Sequence, residues 1–182
     1  MPNIKDILSQ IEQQVDEIVS LEQALVRIPS VNTGSMPTGN ETAVCEYIRG
    51  WLEVDGIASE ILGRVPERGN IIARLPGKSG KPGLLFLSHT DVVPVEDEDK
   101  WRFPPFSATV ANGRIHGRGA SDCKALLTSQ LMAMRVLKRN KVILEDDLLL
   151  VSGADEEHGG RYGMAWLADH HPEKITAPMA IN

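Results

Sequence analysis

Apolar residues recur at Ile7, Leu8, Ile11, Val15, Ile18, Val19, Leu25 and Val26, the i, i+3, i+4 spacing that draws one apolar stripe along a helix. The pattern predicts a single amphipathic helix from Ile4 that Pro29 ends. A turn-rich loop, SVNTGSMPTGN, leads to Asn40, the expected N-cap of a second helix with Val44, Ile48, Trp51 and Leu52 on one face and Gly56 as its stop. The period then changes. Ala58 to Leu62 and Asn70 to Leu75 read as strands, PGKSGKPG as a turn, and Gly83 to Leu87 as a nearly all-apolar strand buried on both faces. After an acidic, then aromatic and proline-rich loop from Pro94 to Phe106, Asn112-Gly113 predicts a hairpin. Helical spacing resumes with Leu126, Leu127, Leu131, Met134 and Leu137 on one face, with Met132 off that stripe. Leu148 to Val151 predicts a second buried strand, Tyr162, Trp166 and Leu167 a last helix, and Ala177 to Ile181 one more central strand. Strands alternating with helices predict an α/β domain of three layers, a mainly parallel sheet flanked by helices.

Composition narrows the function classes. A chain of 182 residues, 42% hydrophobic and 24% charged, is long enough to build its own core. At this size folding buries roughly 70% of the unfolded surface, so a metal would serve chemistry rather than stability. The net charge of −6, with no basic cluster, speaks against nucleic acid and anionic membranes as partners. Cys45 and Cys123 form no CxxC pair or secreted framework, and the amino-terminal stretch lacks an apolar signal core, so a reducing cytoplasm is the expected compartment. The sequence stops at Asn182 directly after an apolar stretch, which reads as a cut within a domain.

In an open parallel sheet, ligand sites form beyond the carboxyl ends of the strands. Ser88-His89-Thr90-Asp91 follows the first buried strand, Gly117-Arg118-Gly119-Ala120-Ser121-Asp122 follows the hairpin, and Asp155-Glu156-Glu157-His158 follows the second buried strand. Five carboxylates converging with His89 on one rim would repel one another without a cation, and hard or borderline divalent metals take these ligands. GRGASD resembles a dinucleotide phosphate loop, but Asp122 stands where that fingerprint has its third glycine and would repel a pyrophosphate. Judged alone, Asp122 suits either a cation or the N-cap of the following helix.

In this order, the segments resemble the amino-terminal part of the zinc-dependent aminoacylase and carboxypeptidase family, which includes acetylornithine deacetylase, succinyl-diaminopimelate desuccinylase, glutamate carboxypeptidase and carboxypeptidase S. The resemblance runs from Leu25-Val26-Arg27-Ile28-Pro29-Ser30-Val31-Asn32 through SHTDVVP, the loop from Trp101 to Phe106 and GRGASDCK to ADEEHGG and the last strand. Ala125, where the family usually has glycine, and His116, where an aromatic is common, depart from it. The resemblance implies that His89 binds one zinc, that Asp91 orients a ligand ring from behind, that Asp122 bridges two ions about 3.5 Å apart, that Glu157 binds the second, and that Glu156 is the general base. Thr90 would be a spacer pointing away.

The implied reaction is cleavage of the amide bond of an N-acyl amino acid or small peptide by zinc-activated water, in a deacylase or carboxypeptidase, with cobalt or manganese as substitute metals. Residues 1–182 would then be the amino-terminal portion of an incomplete catalytic domain of a di-zinc hydrolase. The rest of that domain and the dimerisation domain would be absent, a homodimer would require the latter, and this chain alone would be inactive. Three matched ligands are fewer than two tetrahedral sites need, which keeps a second reading open: a non-catalytic metal-binding or interaction domain that retains the fold.

Other groups read more plainly. His158 is expected at the surface, and His170 and His171 close a helix where imidazoles suit the helix dipole. Glu96-Asp97-Glu98-Asp99 reads as a solvated loop face or a bias against acidic substrates at the entrance, Trp101 and Phe106 as residues packing that loop. Arg118 would meet a substrate carboxylate or pair with a neighbouring acid.

Overall fold

A computed structural model describes residues 3–36 and 38–182; Met1, Pro2 and Pro37, the last inside the predicted turn-rich loop, lie outside it. The first apolar stripe forms two helices rather than one, α1 (Ile4–Glu12) and α2 (Val15–Arg27), parted at Gln13 and Gln14. α1 buries none of its residues, whereas Leu21, Leu25 and Val26 of α2 are buried. With two glutamines at the junction and no core contact beyond it, nothing holds the two segments to one axis. α1 instead caps itself: Asn3 Oδ1 accepts from the Asp6 N–H, and Asp6 accepts from the Asn3 N–H.

The elements that follow are α3 (Glu41–Glu53), β1 (Ala58–Gly63), β2 (Gly69–Leu75), β3 (Pro82–His89), the hairpin β4 (Thr109–Ala111) and β5 (Arg114–His116), α4 (Ala125–Arg139), β6 (Asp147–Gly153), α5 (Met164–His170), α6 (Pro172–Ile175) and β7 (Met179–Ile181). The hairpin turn has Asn112 and Gly113 at φ 53° and 71°, the pair of positive values its type requires. Asn40 precedes α3 as expected, but its side chain makes no cap bond.

The main sheet has the order β1-β2-β6-β3-β7. It is mixed: β6, β3 and β7 are parallel, while β2 runs against both β1 and β6. The expected parallel pairing is confined to strands joined through helices, because a short turn such as residues 64–68 can only join antiparallel neighbours. β7, expected to be central, pairs only with β3 among the described residues, and its three residues are exposed.

Alternating side chains build a core on each face. Ile71, Ala73, Leu75, Leu148 and Leu150 pack against Leu25, Ile48, Leu127, Leu131 and Met134 of α2, α3 and α4. Ile72, Leu85, Leu149 and Val151 pack on the opposite face, against Leu167 of α5. Met132, read as off the stripe of α4, is buried in the first core as well. The register that aligns Leu85 with Leu149 also sets His89 beside Gly153, so β3 and β6 end level. The histidine loop and the acidic turn therefore leave the sheet at one place.

Candidate metal centre

His89 is the last residue of β3 and is largely buried. Its Nδ1 lies 3.0 Å from the backbone carbonyl of Asp91 and 3.4 Å from that residue's carboxylate. A carbonyl only accepts, so Nδ1 carries a proton, and Nε2 is the ring nitrogen that faces outward. Nε2 lies 3.1 Å from Asp122 Oδ1 and 3.7 Å from Glu156 Oε2. Burial alone would depress this imidazole, but hydrogen bonds to Asp91 and Cys123 and their charge reverse the balance and push it up to about 11. At 3.1 Å, Nε2 and Asp122 Oδ1 face each other as two atoms of metal-ligand type.

Asp91 is almost fully buried and spends its carboxylate on the acidic turn rather than chiefly on the ring. Oδ1 accepts from the Glu156 N–H at 3.0 Å, and Oδ2 accepts from the Glu157 N–H at 3.2 Å and from Asn32 Nδ2 at 2.8 Å. Burial raises its affinity for a proton, yet the bonds from His89, Asn32 and Glu156 outweigh that and hold it below the usual carboxylate range. Thr90 is fully buried, with its Oγ1 3.3 Å from Gly153 O.

Asp122 does not cap α4. The helix starts at Ala125 after a wide turn in which Asp122 is extended, at φ −120° and ψ 101°, and its side chain makes no cap bond. That side chain is 77% exposed and faces His89. Gly119, at φ 79°, opens the turn, where a Cβ would collide with the Val92 side chain. Asp122 lines two cavities. One, of about 540 Å³, also holds His89 and Glu156 against an apolar wall that includes Leu87, Leu126 and Met164. The other, of about 220 Å³, holds Glu157 with Val93 and Arg118. Burial makes the Glu157 carboxyl harder to ionise, and the charges of Asp122, Asp91 and Glu156 add to this while His89 opposes it.

The donor atoms of His89, Asp122 and Cys123 lie within 4.8 Å of one another. The sequence marks Cys123 only as a cysteine outside any CxxC pair, not as a neighbour of His89 and Asp122 in space. Its sulfur is committed to the end of β3, accepting from the His89 N–H at 3.2 Å and donating to the His89 carbonyl at 3.3 Å. The nitrogen and oxygen donors, with carboxylates on both sides of Asp122, fit borderline divalent ions.

Two buried residues behind the site also escaped the sequence reading. Asn32 reaches Asp91 because residues 30–32 run beside residues 90–92, with the Val92 N–H donating to Ser30 O and the Asn32 N–H to Val92 O. Asp155, counted with the rim carboxylates, is instead buried and held by Arg68 Nη2 at 3.1 Å. His158 is exposed, His170 and His171 pack on Trp166, and Arg118 lies over the Trp101 ring at 5.2 Å. No helix among the described residues is long and apolar enough to cross a membrane.

The family model for peptidase family M20/M25/M40 matches residues 85–181, more than half of the chain. The chain is 34% identical over 158 residues to an N-formyl-4-amino-5-aminomethyl-2-methylpyrimidine deformylase of Halalkalibacterium halodurans, covering 86% of this chain and 36% of that protein. It is 36% identical over 130 residues to a probable succinyl-diaminopimelate desuccinylase of Staphylococcus epidermidis, covering 71% of this chain and 31% of that one. Among solved structures, an M20 family metallo-carboxypeptidase from Sulfolobus solfataricus superposes with a TM-score of 0.76 at 26% identity, over 92% of this chain and 37% of that one. The chain thus spans about a third of the length of each.

Proposed function

The chain belongs to peptidase family M20/M25/M40, and on that premise we propose that it supplies the metal-ligating and proton-transferring part of a zinc-dependent hydrolase that cleaves the amide bond of N-acyl amino acids or small peptides. The observation that carries this reading is the place of Asp122, between a cavity with His89 and Glu156 and a cavity with Glu157. One carboxylate facing two donor sets is the arrangement a bridged pair of divalent ions requires. His89 and Asp122 would hold one ion and Asp122 and Glu157 the other. Such ions supply Lewis-acid polarisation of the scissile carbonyl and a water of lowered pKa.

The chain's own residues do the rest. Asp91 fixes the acidic turn through the Glu156 and Glu157 N–H groups, and with its carbonyl it keeps the His89 proton on Nδ1. Glu156, its side chain 60% exposed, projects into the larger cavity, where its carboxylate accepts a proton from the attacking water and returns it to the leaving nitrogen as the C–N bond breaks. Leu87, Leu126 and Met164 give the acyl group an apolar wall. The relatives' names, a deformylase and a desuccinylase, agree with removal of an acyl group from nitrogen.

We place the remaining ligands outside these 182 residues, because His89, Asp122 and Glu157 are too few for two four-coordinate ions. The isolated chain is expected to bind zinc weakly and to turn over no substrate. The test is Glu156→Gln in the protein that carries this sequence: hydrolysis of N-acyl amino acids should fall by about 10²–10⁴-fold, with metal content by elemental analysis unchanged. Undiminished hydrolysis, or a wild-type protein that takes up no metal, overturns the reading.

A further inference from the structure

Behind the metal centre lies a closed chain of buried charges. Arg68, 1% exposed, donates from Nε to Glu41 Oε1 at 3.0 Å and from Nη2 to Asp155 Oδ1 at 3.1 Å. Asp155 Oδ1 also accepts from Asn32 Nδ2 at 3.0 Å, and the same amide nitrogen donates to Asp91 Oδ2 at 2.8 Å. The Asn32 amide thus spends both protons joining two carboxylates that are each 1% exposed. Glu41 Oε1 accepts in addition from the Asp155 N–H at 3.3 Å, and Asp155 Oδ2 from the Tyr162 N–H at 3.3 Å. The Tyr162 ring lies 5.0 Å from the Arg68 guanidinium. Gly39, at φ 94°, closes over the pair; a Cβ there would lie 2.7 Å from Arg68 Nε.

We propose that Arg68 is a positioning residue of the metal centre, acting through Asp155, Asn32 and Asp91 on His89 and on the acidic turn. Among the described residues it is the one cation in direct contact with Asp155. Remove it, and Asp155 and Asp91 become two buried carboxylates joined by a single neutral amide, an arrangement that their repulsion opens. That opening disturbs Asp91, whose two oxygens hold the backbone of Glu156 and Glu157 and whose carbonyl holds the His89 ring. The planar guanidinium suits this task because it meets both acids at fixed angles, which a flexible ammonium cannot.

The inference rests on the metal-site reading above, and its test separates the two. Cobalt(II) binding is followed by visible absorption, and the His89 imidazole of the metal-free protein by 1H–15N correlation. Arg68→Met should weaken cobalt binding by about tenfold or more and shift the His89 ring signals. Asn32→Ser, which cuts the link while leaving the Arg68–Glu41 pair intact, should do the same. Arg68→Lys should recover only part of the loss, because it keeps the charge but not the planar fork that meets both acids. Leu131→Ala, a core truncation on α4, is the control for general destabilisation. Wild-type affinity and ring signals in both Arg68→Met and Asn32→Ser overturn the proposal, as do losses no larger than that of the control. If Arg68→Met does not fold, Asn32→Ser decides. A wild-type protein that binds no cobalt sinks the metallohydrolase reading, while the ring signals still decide the role of Arg68.

Discussion

Two groups of acids meet at the end of β6, and they are treated in opposite ways. Glu41, Asp91 and Asp155 are no more than 1% exposed and are bonded to Arg68, Asn32 and backbone N–H groups. Asp122 and Glu156, a few ångströms in front of them, have side chains 77% and 60% exposed and face His89. The buried group is tied down by bonded partners, although Glu41 Oε2 has none; the rim group is open to solvent. The contrast shows a division of labour: acids with fixed partners build the frame, and acids without them are free for a cation and a water. Burial raises the cost of an unpaired charge, so only the rim can leave charge uncompensated without unfolding the domain.

The most severe way to break this contrast is to remove the cation of the frame. Arg68→Met should cost about 3–5 kcal/mol of stability in chemical denaturation, because it strands buried carboxylates. A loss below about 1 kcal/mol would mean that the frame is not held by charge. On the rim the expected effect lies in binding rather than folding. Asp122→Asn should leave stability within about 0.5 kcal/mol of wild type while weakening zinc or cobalt affinity on the order of 100-fold, read by calorimetric titration. Equal stability losses in the two variants would erase the distinction.

The smallest effect sharpens the comparison from outside both groups. The Cys45 thiol, buried in the first core and donating to Gly69 O at 3.2 Å, is pushed up from its ordinary 9.0 chiefly by burial, with the charges of Glu41 and Glu46 adding to it. Below that value the thiol is protonated in both states and its contribution is fully present. Above it the unfolded chain ionises while the folded chain does not, so stability is lost as pH rises. Cys45→Ala should therefore flatten the alkaline limb of the stability profile. An unchanged slope between pH 9 and 10.5 would show that the thiol ionises freely in the fold.

Much of the site was legible from the strand ends. His89 and Asp91 follow one buried strand and Glu156 and Glu157 another, and the structure brings them together because β3 and β6 end in register; Asp122 follows the hairpin and meets His89 from the turn before α4. The frame behind them was not legible. Asn32 meets Asp91 across 59 residues and Asp155 across 123, and Arg68 meets Asp155 across 87. Glu41 is a first-turn acid of α3, a place where acids usually face water beside the helix dipole, but packing turns it inward. Asp155 sits among acids in the sequence and has its back to them in space. The same limit explains the first helix: periodicity marks an apolar stripe, but whether one axis carries it depends on what the stripe packs against, and α1 packs too little to be held in line with α2.

Alternation of strands and helices, the apolar faces of β2, β3 and β6, and the residue types at the strand ends are local properties, and sequence alone determined them. Side-chain period follows from backbone geometry and is written one residue at a time. Tertiary structure decided which carboxylates lie in the dark and which in water, and that choice separates Asp155 from Glu156, its neighbour in the chain. A carboxylate's cost and its use both depend on the charges within a few ångströms of it. Here the charge that Asp155 meets comes from Arg68, 87 positions away, and its amide partner from Asn32, 123 positions away, so only the folded chain defines them.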